Sequence, residues 1–432
     1  LDLHSHSLQP FAASASVLSP KTWPFELKWL PPATYLVGGN VRDALLGRHA
    51  EYLDLDFVMP AGAVETAKAI ARHHGAGFVL LDAERHIARV VFEHATVDFA
   101  QQVGPTLETD LQRRDFTVNA IAYNPITEEL IDPLQGYHDL ERRIIRMVAA
   151  ENLKDDPLRL LRAYRQAAQL GFVLEPDTRE TIRYFAPLLQ WIAAERVQAE
   201  LNYLLSTSKG TALLKLAWQD GLLHHWLRSI TTEQVALIHQ IDQAAMTLAQ
   251  RWSAFGAELS GWLRDQHRSS GAGRSWLKIA KLASLTAFDA QIAEHELWAL
   301  KYSRAEIQAV LTILHCLQPL QNSATALSLR EQYFLFQKVG AAFPALAVLA
   351  VAMGVSVEAI APLIQHFLTP NDPVAHPVPP ITGRDLMQAL QMPAGPQIGQ
   401  LLQAIQIAQA EGKLSTPEEA LQFAKILSQQ YL

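Results

Sequence analysis

The stretch Tyr35–Asp56, YLVGGNVRDALLGRHAEYLDLD, gathers residue types that can do chemistry together. Asp54 and Asp56 stand two apart in a run that reads as a strand, and residues two apart on a strand point to one face. Carboxylates held side by side repel each other unless a cation sits between them, so the pair reads as a divalent metal site. Upstream, Gly38 and Gly39 turn the chain from the short apolar strand Tyr35-Leu36-Val37 into a short helix with Arg42 and Asp43 near its start. Without a Cβ, backbone comes close to phosphate oxygens, and N–H groups at a helix start point at an anion. Metal, phosphate and backbone together suggest phosphoryl or nucleotidyl transfer. A lone Asp-X-Asp or a lone Gly-Gly is most often structural; Gly-Gly-X-X-Arg-Asp followed closely by Asp-X-Asp is far more specific.

Three further groups extend this chemistry. Asp98, expected at the end of a strand, is either a third carboxylate near the metal or a solvated strand-end aspartate. In Gln112–Ala122, QRRDFTVNAIA, Arg113, Arg114 and Asp115 precede an apolar, helix-compatible segment. Its arginines could grip a triphosphate, and Asn119 could hydrogen-bond a ribose hydroxyl. DDPLRLLRAYR then opens a helix with two acids and a proline in its first turn. Asp156, Arg159, Arg162 and Arg165 follow at intervals of three along one face, where a surface ion pair is the ordinary meaning of such an Asp–Arg spacing.

These motifs resemble the signature of the tRNA nucleotidyltransferase and poly(A) polymerase superfamily, class II, the bacterial and eukaryotic type. GGNVRD with LDLD, and RRDFTVNA, match two of its motifs; DDPLR matches Glu-Asp-X-X-Arg with Asp155 in place of the glutamate. Glu195, Arg196 and Glu200 match its Glu-Arg…Glu motif, which implies that Glu195 and Arg196 brace the nucleotide-reading helix. The resemblance implies attack of a tRNA 3′-hydroxyl on the α-phosphate of CTP, or of ATP, with release of pyrophosphate. Asp54 and Asp56 would be the catalytic pair and hold two Mg²⁺ ions, one lowering the hydroxyl's pKa and one holding the triphosphate. Gly38, Gly39, Arg42, Asp43, Arg114, Asp115, Asn119, Asp156, Arg159, Arg162 and Arg165 would bind nucleotide, with Asp98 in support. An Asp/Arg pair also has a chemical logic of its own. Ionised Asp only accepts and Arg only donates, so the pair complements the edges of cytosine and adenine and is repelled by those of uracil and guanine.

A chain of 432 residues implies about two to four domains. Residues 34–147 alternate short β-rich runs with one amphipathic helix, Val64 to His74, and the rest is helical almost to its end. The expected class is α+β: a small mixed-sheet nucleotidyltransferase head (34–147) followed by all-helical neck (148–206, nucleotide selection), body (207–368) and tail (369–432, tRNA binding). Residues 1–33 are expected to be a flexible leader. Arg268 to Ser275 reads as a loop, and the prolines from Pro370 to Pro380 as a hinge-like linker. The single cysteine, Cys316, excludes an internal disulfide framework and fits a reducing, cytoplasmic compartment. No uninterrupted apolar run is long enough to span a bilayer. The net charge of −7 argues against a general nucleic-acid binder while leaving room for local patches such as Arg142, Arg143 and Arg146.

One departure selects a subtype. Family members that add the terminal A carry a longer, charged flexible loop between the sheet and RRDFT, whereas here only FAQQVGPTLETDL follows Asp98. The expectation is therefore a CC-adding enzyme, its product completed by a separate A-adding enzyme. Full CCA addition, A addition alone and an inactive RNA-binding protein are the alternatives.

Overall fold

The strand that carries the aspartates is held in place by its other face. The computed structural model describes residues 17–48, 52–261, 275–322 and 327–430. β1 (Tyr35–Val37) lies beside β2 (Leu53–Met59), where Leu55 and Phe57 are buried on one face and Asp54 and Asp56 alternate to the other. β3 (Gly77–Asp82), β4 (Ile87–Val91), β5 (Ala95–Gln101), β6 (Ala122–Asn124) and β7 (Glu129–Ile131) complete a seven-stranded sheet in the order β3-β4-β5-β2-β1-β6-β7. β2 and β5 are parallel and every other pair is antiparallel. The expected mixed sheet is thus present, with two more strands at the β1 edge. The segment expected to be helix-compatible leads into the first of them: after Phe116 the chain makes one tight turn, Thr117–Asn119, and enters β6 at Ala122. A short apolar run does not by itself separate strand from helix.

Helices dress this sheet. α1 (Gly39–Leu45) follows β1, and α2 (Ala63–His74) packs Ala63, Ala67, Ile70 and Ala71 inward. α3 (Leu107–Gln112) buries Leu107 and Leu111 against Val37 and Val58 of the sheet. α4 (Gly136–Arg142) is capped by Asp132, whose carboxylate accepts from the Gly136 and Tyr137 N–H groups at 2.7 and 2.8 Å. α5 (Ala150–Asp155), α6 (Leu158–Leu170) and α7 (Pro176–Phe185) follow, with a two-stranded parallel ribbon of β8 (Ile144–Ile145) and β9 (Val173–Leu174). Asp155 was expected in the first turn of the long helix; it ends α5 instead. Asp156 takes an extended conformation at the break, and α6 begins after Pro157.

The leader needs correcting. Residues 17–33 are packed rather than flexible, while 1–16 lie outside the described residues. Leu18, Trp23, Phe25 and Leu30 are buried. The Trp23 ring stands edge-on to Phe57 at 5.0 Å, and Phe25 meets Phe57 and Phe99 at 6.0 and 6.1 Å. The segment therefore covers the face of β2 and β5 turned away from Asp54 and Asp56. Aromatic rings bury large apolar areas each, and two of them with two leucines outweigh the Ser- and Ala-rich composition upstream.

The chain divides into two compact units, Leu1–Ile192 with Gln219–Leu222, and Ala193–Trp218 with Leu223–Leu432. The second is helical throughout its described residues, beginning with α8 (Ala194–Leu205). At its centre Phe343–Ala350 is buried at every position. By length and composition Leu329–Ala352 could cross a bilayer, against the expectation that no run would. It is two helices joined by the turn Gly340–Ala342, and 67% of its apolar window is buried, the mark of a core helix. A separate apolar cluster, Ile381, Leu386, Ile398, Leu401 and Ile405, packs the last helices. In the proline-rich segment before them, Asp372 accepts from the Val374 and Ala375 N–H groups and pairs with His366, so this expected hinge is tied down locally. Ser275 caps the helix Trp276–Leu285; the remainder of the expected loop from Arg268 lies outside the described residues.

The packed leader yields a test. Phe25→Ala should lower stability by about 3–5 kcal/mol, the cost of an aromatic cavity, read as a lower urea midpoint. An unchanged midpoint would mean that residues 17–33 carry no packing energy.

Candidate active site

Sterics set the turn between β1 and α1. Gly38 has φ +79°, a conformation that side chains resist, and a Cβ there would lie 3.4 Å from Arg114 Nη1 and 3.7 Å from Asp56 Oδ2. Bare backbone therefore sits between a cation and a carboxylate. Asp54 is exposed and Asp56 half-buried. Asp54 Oδ1 accepts from the hydroxyl of Thr96, its neighbour on β5, and its carbonyl accepts from the Asn40 side chain. Burial first, then the charges of Asp54 and Asp98, push the Asp56 carboxyl up to about 7, against the pull of Arg114 and Arg89.

Asp98 is not at a strand end. It lies within β5, directly beside Asp56 on β2 and Arg89 on β4. Arg89 donates to both of its oxygens, at 2.6 and 2.8 Å. A carboxylate claimed bidentately is a poor metal ligand, so Asp98 supports the site by charge rather than by coordination. Among the described residues no three His, Cys, Asp or Glu side chains gather to hold a metal. The pair Asp54 and Asp56 nevertheless fits Mg²⁺, a hard cation that uses one or two carboxylates and fills its shell with water and substrate phosphate. A divalent ion would also relieve the crowding that raises Asp56.

Asn119 is the hub of the floor. Its Oδ1 accepts from Arg42 Nη1 at 2.8 Å, and its amide donates to Asp115 and to Gln166 Oε1, both at 2.9 Å. Arg42, 5% exposed, meanwhile binds Asp43 through Nε and Nη2, both at 2.9 Å. Both N–H donors of Asn119 are thus committed to protein, which leaves one carbonyl lone pair for the expected ribose contact. Asp115 also accepts from the Phe116 N–H at 2.8 Å and faces Arg162 Nη1 at 3.5 Å.

α6 is laced to this floor along one face, at the spacing of helix turns. Arg159 Nη1 donates to the carbonyls of Arg113 and Asn152 at 2.9 and 3.0 Å, and its buried Nε has no partner. Burial, chiefly, holds the Arg159 guanidinium below its usual range. Arg162 meets Asp115, Gln166 meets Asn119, and Arg165 donates to Gln169 Oε1 at 2.9 Å. Arg48 closes the far end on the carbonyls of Gln169 and Leu170. Asp156 accepts from the Leu158 N–H at 3.3 Å and adds its charge to that of Asp115 around Arg159.

These side chains enclose a cavity of about 460 Å³ lined by Gly38, Gly39, Arg42, Asp56, Arg113, Arg114, Asp115, Asn119, Arg159, Arg162, Arg165, Gln166 and Gln169. The expected residues Asp43, Asp54, Asp98 and Asp156 stand outside that lining. Gln166 and Gln169 were missed, although their spacing from Arg159 and Arg162 places them on the same face. Asp110 was missed too: it is wholly buried and binds Arg113 and Arg114 from behind. Glu195, Arg196 and Glu200 lie on α8 in the second unit, Glu200 buried and the other two exposed.

Known proteins match this chain along most of its length. Residues 34–146 match the Poly A polymerase head domain, 171–233 the probable RNA and SrmB-binding site of polymerase A, and 274–424 the putative tRNA nucleotidyltransferase domain 2. A CC-adding tRNA nucleotidyltransferase of Synechocystis sp. is 51% identical, over 94% of this chain and 96% of that one. An A-adding tRNA nucleotidyltransferase of Deinococcus radiodurans is 32% identical, over 91% of this chain and 95% of that one. The solved structure of a Thermotoga maritima CCA-adding enzyme complexed with tRNA-CCA shares the fold, with a TM-score of 0.69 at 21% identity over 91% of this chain and 90% of that one. A relative half identical across nearly the whole of both chains settles the question of kinship: this chain belongs to the class II tRNA nucleotidyltransferase and poly(A) polymerase family.

Proposed function

We propose that the protein adds two CMP residues to the 3′ end of tRNA, without a nucleic-acid template, and stops at CC. The observation that carries this reading is the 51% identity to a CC-adding enzyme over almost the entire chain. The short connection from β5 to α3 supports it. Gln102 N–H is bonded to the Met59 carbonyl at 2.8 Å, Val103 N–H to Asp110 at 2.9 Å, and Thr106 caps α3. Such a segment has no length to spare for the mobile lever linked to A addition. A addition is the second reading, favoured by the likeness to the Deinococcus enzyme.

In the transfer, the tRNA 3′-oxygen forms a bond to the α-phosphorus of CTP, the α–β bridging bond breaks, the hydroxyl proton is lost, and pyrophosphate leaves. Asp54 and Asp56 would hold two Mg²⁺ ions, which would lower the hydroxyl pKa and neutralise triphosphate charge. The chain's own groups do the positioning. The Gly38-Gly39 turn lets phosphate oxygens approach backbone, and Arg113 and Arg114 face the triphosphate with donors in a fixed fork. Arg42, Asp43, Asp115 and Asn119 form the floor on which it rests. Asp156 and Arg159 read the base edge, and Arg162 and Arg165 line the same wall. Selection of this kind needs Arg159 to turn its guanidinium from the Arg113 carbonyl toward the base edge. The helical tail from residue 369 binds tRNA, the enzyme works in the cytoplasm, and a separate A-adding enzyme completes its product.

Three outcomes test this. With CTP and ATP together, tRNA lacking CCA should accumulate as tRNA-CC when 3′ ends are sequenced; efficient CCA formation would overturn the subtype and leave the nucleotidyl transfer standing. Asp54→Asn or Asp56→Asn should abolish CMP addition and weaken Mg²⁺ binding by calorimetry while the fold survives, and near-normal addition by either would sink the metal assignment. Asp156→Ala or Arg159→Ala leaves the base edge half read, at about 1–3 kcal/mol per unsatisfied group. Preference for CTP over UTP should fall about ten- to a hundredfold; unchanged preference would reduce the pair to a structural contact.

A further inference from the structure

Asp110 binds both Arg113 and Arg114 from behind the cavity wall, and the reaction as described gives it no role. Its side chain is 0% exposed. Oδ1 accepts from Arg113 Nε at 3.0 Å and from the Val103 N–H at 2.9 Å and stands 2.8 Å from Arg113 Nη2 in an ion pair, while Oδ2 accepts from Arg114 Nη2 at 3.3 Å. Leu107 and Leu111, on either side of it, anchor α3 in the apolar cluster of the sheet. Asp110 is therefore a fixed charge on a fixed helix, and two arginines of the cavity are referred to it.

The competing partner for Arg114 is Asp56. The Arg114 guanidinium already pulls on that carboxyl electrostatically, and Arg114 Nη1 and Asp56 Oδ2 both lie within 4 Å of where a Gly38 Cβ would stand. An arginine set free from Asp110 would settle on the half-buried Asp56, because a buried ion pair is short of alternatives. That would remove a cation from the phosphate side and engage a carboxylate needed on the other. We infer that Asp110 is a positioning residue for nucleotide binding: it holds Arg113 and Arg114 toward the triphosphate and keeps Arg114 off Asp56. The same carboxylate closes the connection at Val103, so the arginines and the short loop are set by one group. This rests on the proposed role of Arg114 as a triphosphate contact.

The test is steady-state CMP addition by the full chain to tRNA lacking CCA, with urea unfolding alongside. Asp110→Asn keeps shape and the Val103 contact and loses the charge. It should raise KM for CTP about tenfold or more, and the double variant Asp110→Asn/Arg114→Ala should lose clearly less than the sum of the two single losses, the signature of coupled residues. If Asp110→Asn does not fold, Asp110→Glu keeps the charge, displaces the arginines by a methylene and should raise KM in a protein that still unfolds cooperatively, at a somewhat lower urea midpoint. A normal KM for the folded variant, or additive losses in the double variant, overturns the inference. Arg114→Ala with a normal KM overturns the triphosphate reading and this inference with it, whereas a raised KM for Arg114→Ala beside a normal one for Asp110→Asn removes Asp110 alone.

Discussion

Repulsion between carboxylates is the constraint around which the first unit is arranged. Parallel pairing of β2 with β5 puts Asp56 beside Asp98, and the alternation of β2 puts Asp54 on the same face. Three like charges on so small a patch of sheet favour either protonation or loss of the register. Register is held from the other side, where Phe57 and Phe99 lie stacked at 5.5 Å under Trp23 and Phe25. A slip by one residue would bury the carboxylates and expose the rings. The charge itself is handled locally: Arg89 removes Asp98 from competition by taking both oxygens, and Arg114 moderates Asp56 across Gly38. What stays unmatched is the Asp54–Asp56 pair, the one place where a cation gains most.

The cavity presents the converse problem. Six arginines line it in a chain whose net charge is −7, so overall composition says little about this wall. Carboxylates behind the wall divide the arginines into kinds. Arg42 is matched one to one by Asp43 and carries the floor. Arg113 and Arg114 share the single carboxylate Asp110, which leaves an excess of positive charge facing the space where an anionic substrate would lie. Arg159 is held largely by neutral carbonyls, a weak claim on a guanidinium that burial already disfavours. Structural and substrate-facing arginines are thus told apart by what backs them, not by which motif they occupy.

That distinction also marks how far the sequence could be read. β1, β2 and the glycine turn were legible because their chemistry is local: spacing two on a strand, and glycine where a Cβ would clash. Asp98 was not, since its fate depends on Arg89, which only the β4–β5 register brings alongside. Asp110 looked like any helix-surface acid, and its significance comes from complete burial. Residues 117–122 failed for another reason, since a short apolar run fits strand and helix alike and pairing with β1 decided it. Asp155 and Asp156 were read as one helix start because the break between α5 and α6 rests on Asn152, which binds the carbonyls of Gln112 and Arg114 far away in sequence.

Asn119 shows what such distant bonds add. One amide joins Arg42 on α1, Asp115 before the turn and Gln166 on α6, with both N–H groups spent. The phosphate-side turn and the base-side helix are therefore not independent parts. Moving α6 by even an ångström would orphan a buried donor on Asn119, at about 1–3 kcal/mol for a group left unsatisfied. On the proposed reading, base selection and phosphate positioning share one hydrogen-bonded floor, so an error on one side would be felt on the other. In an enzyme without a template strand, this wiring gives the fit of a base a physical route to the alignment of the reacting phosphate.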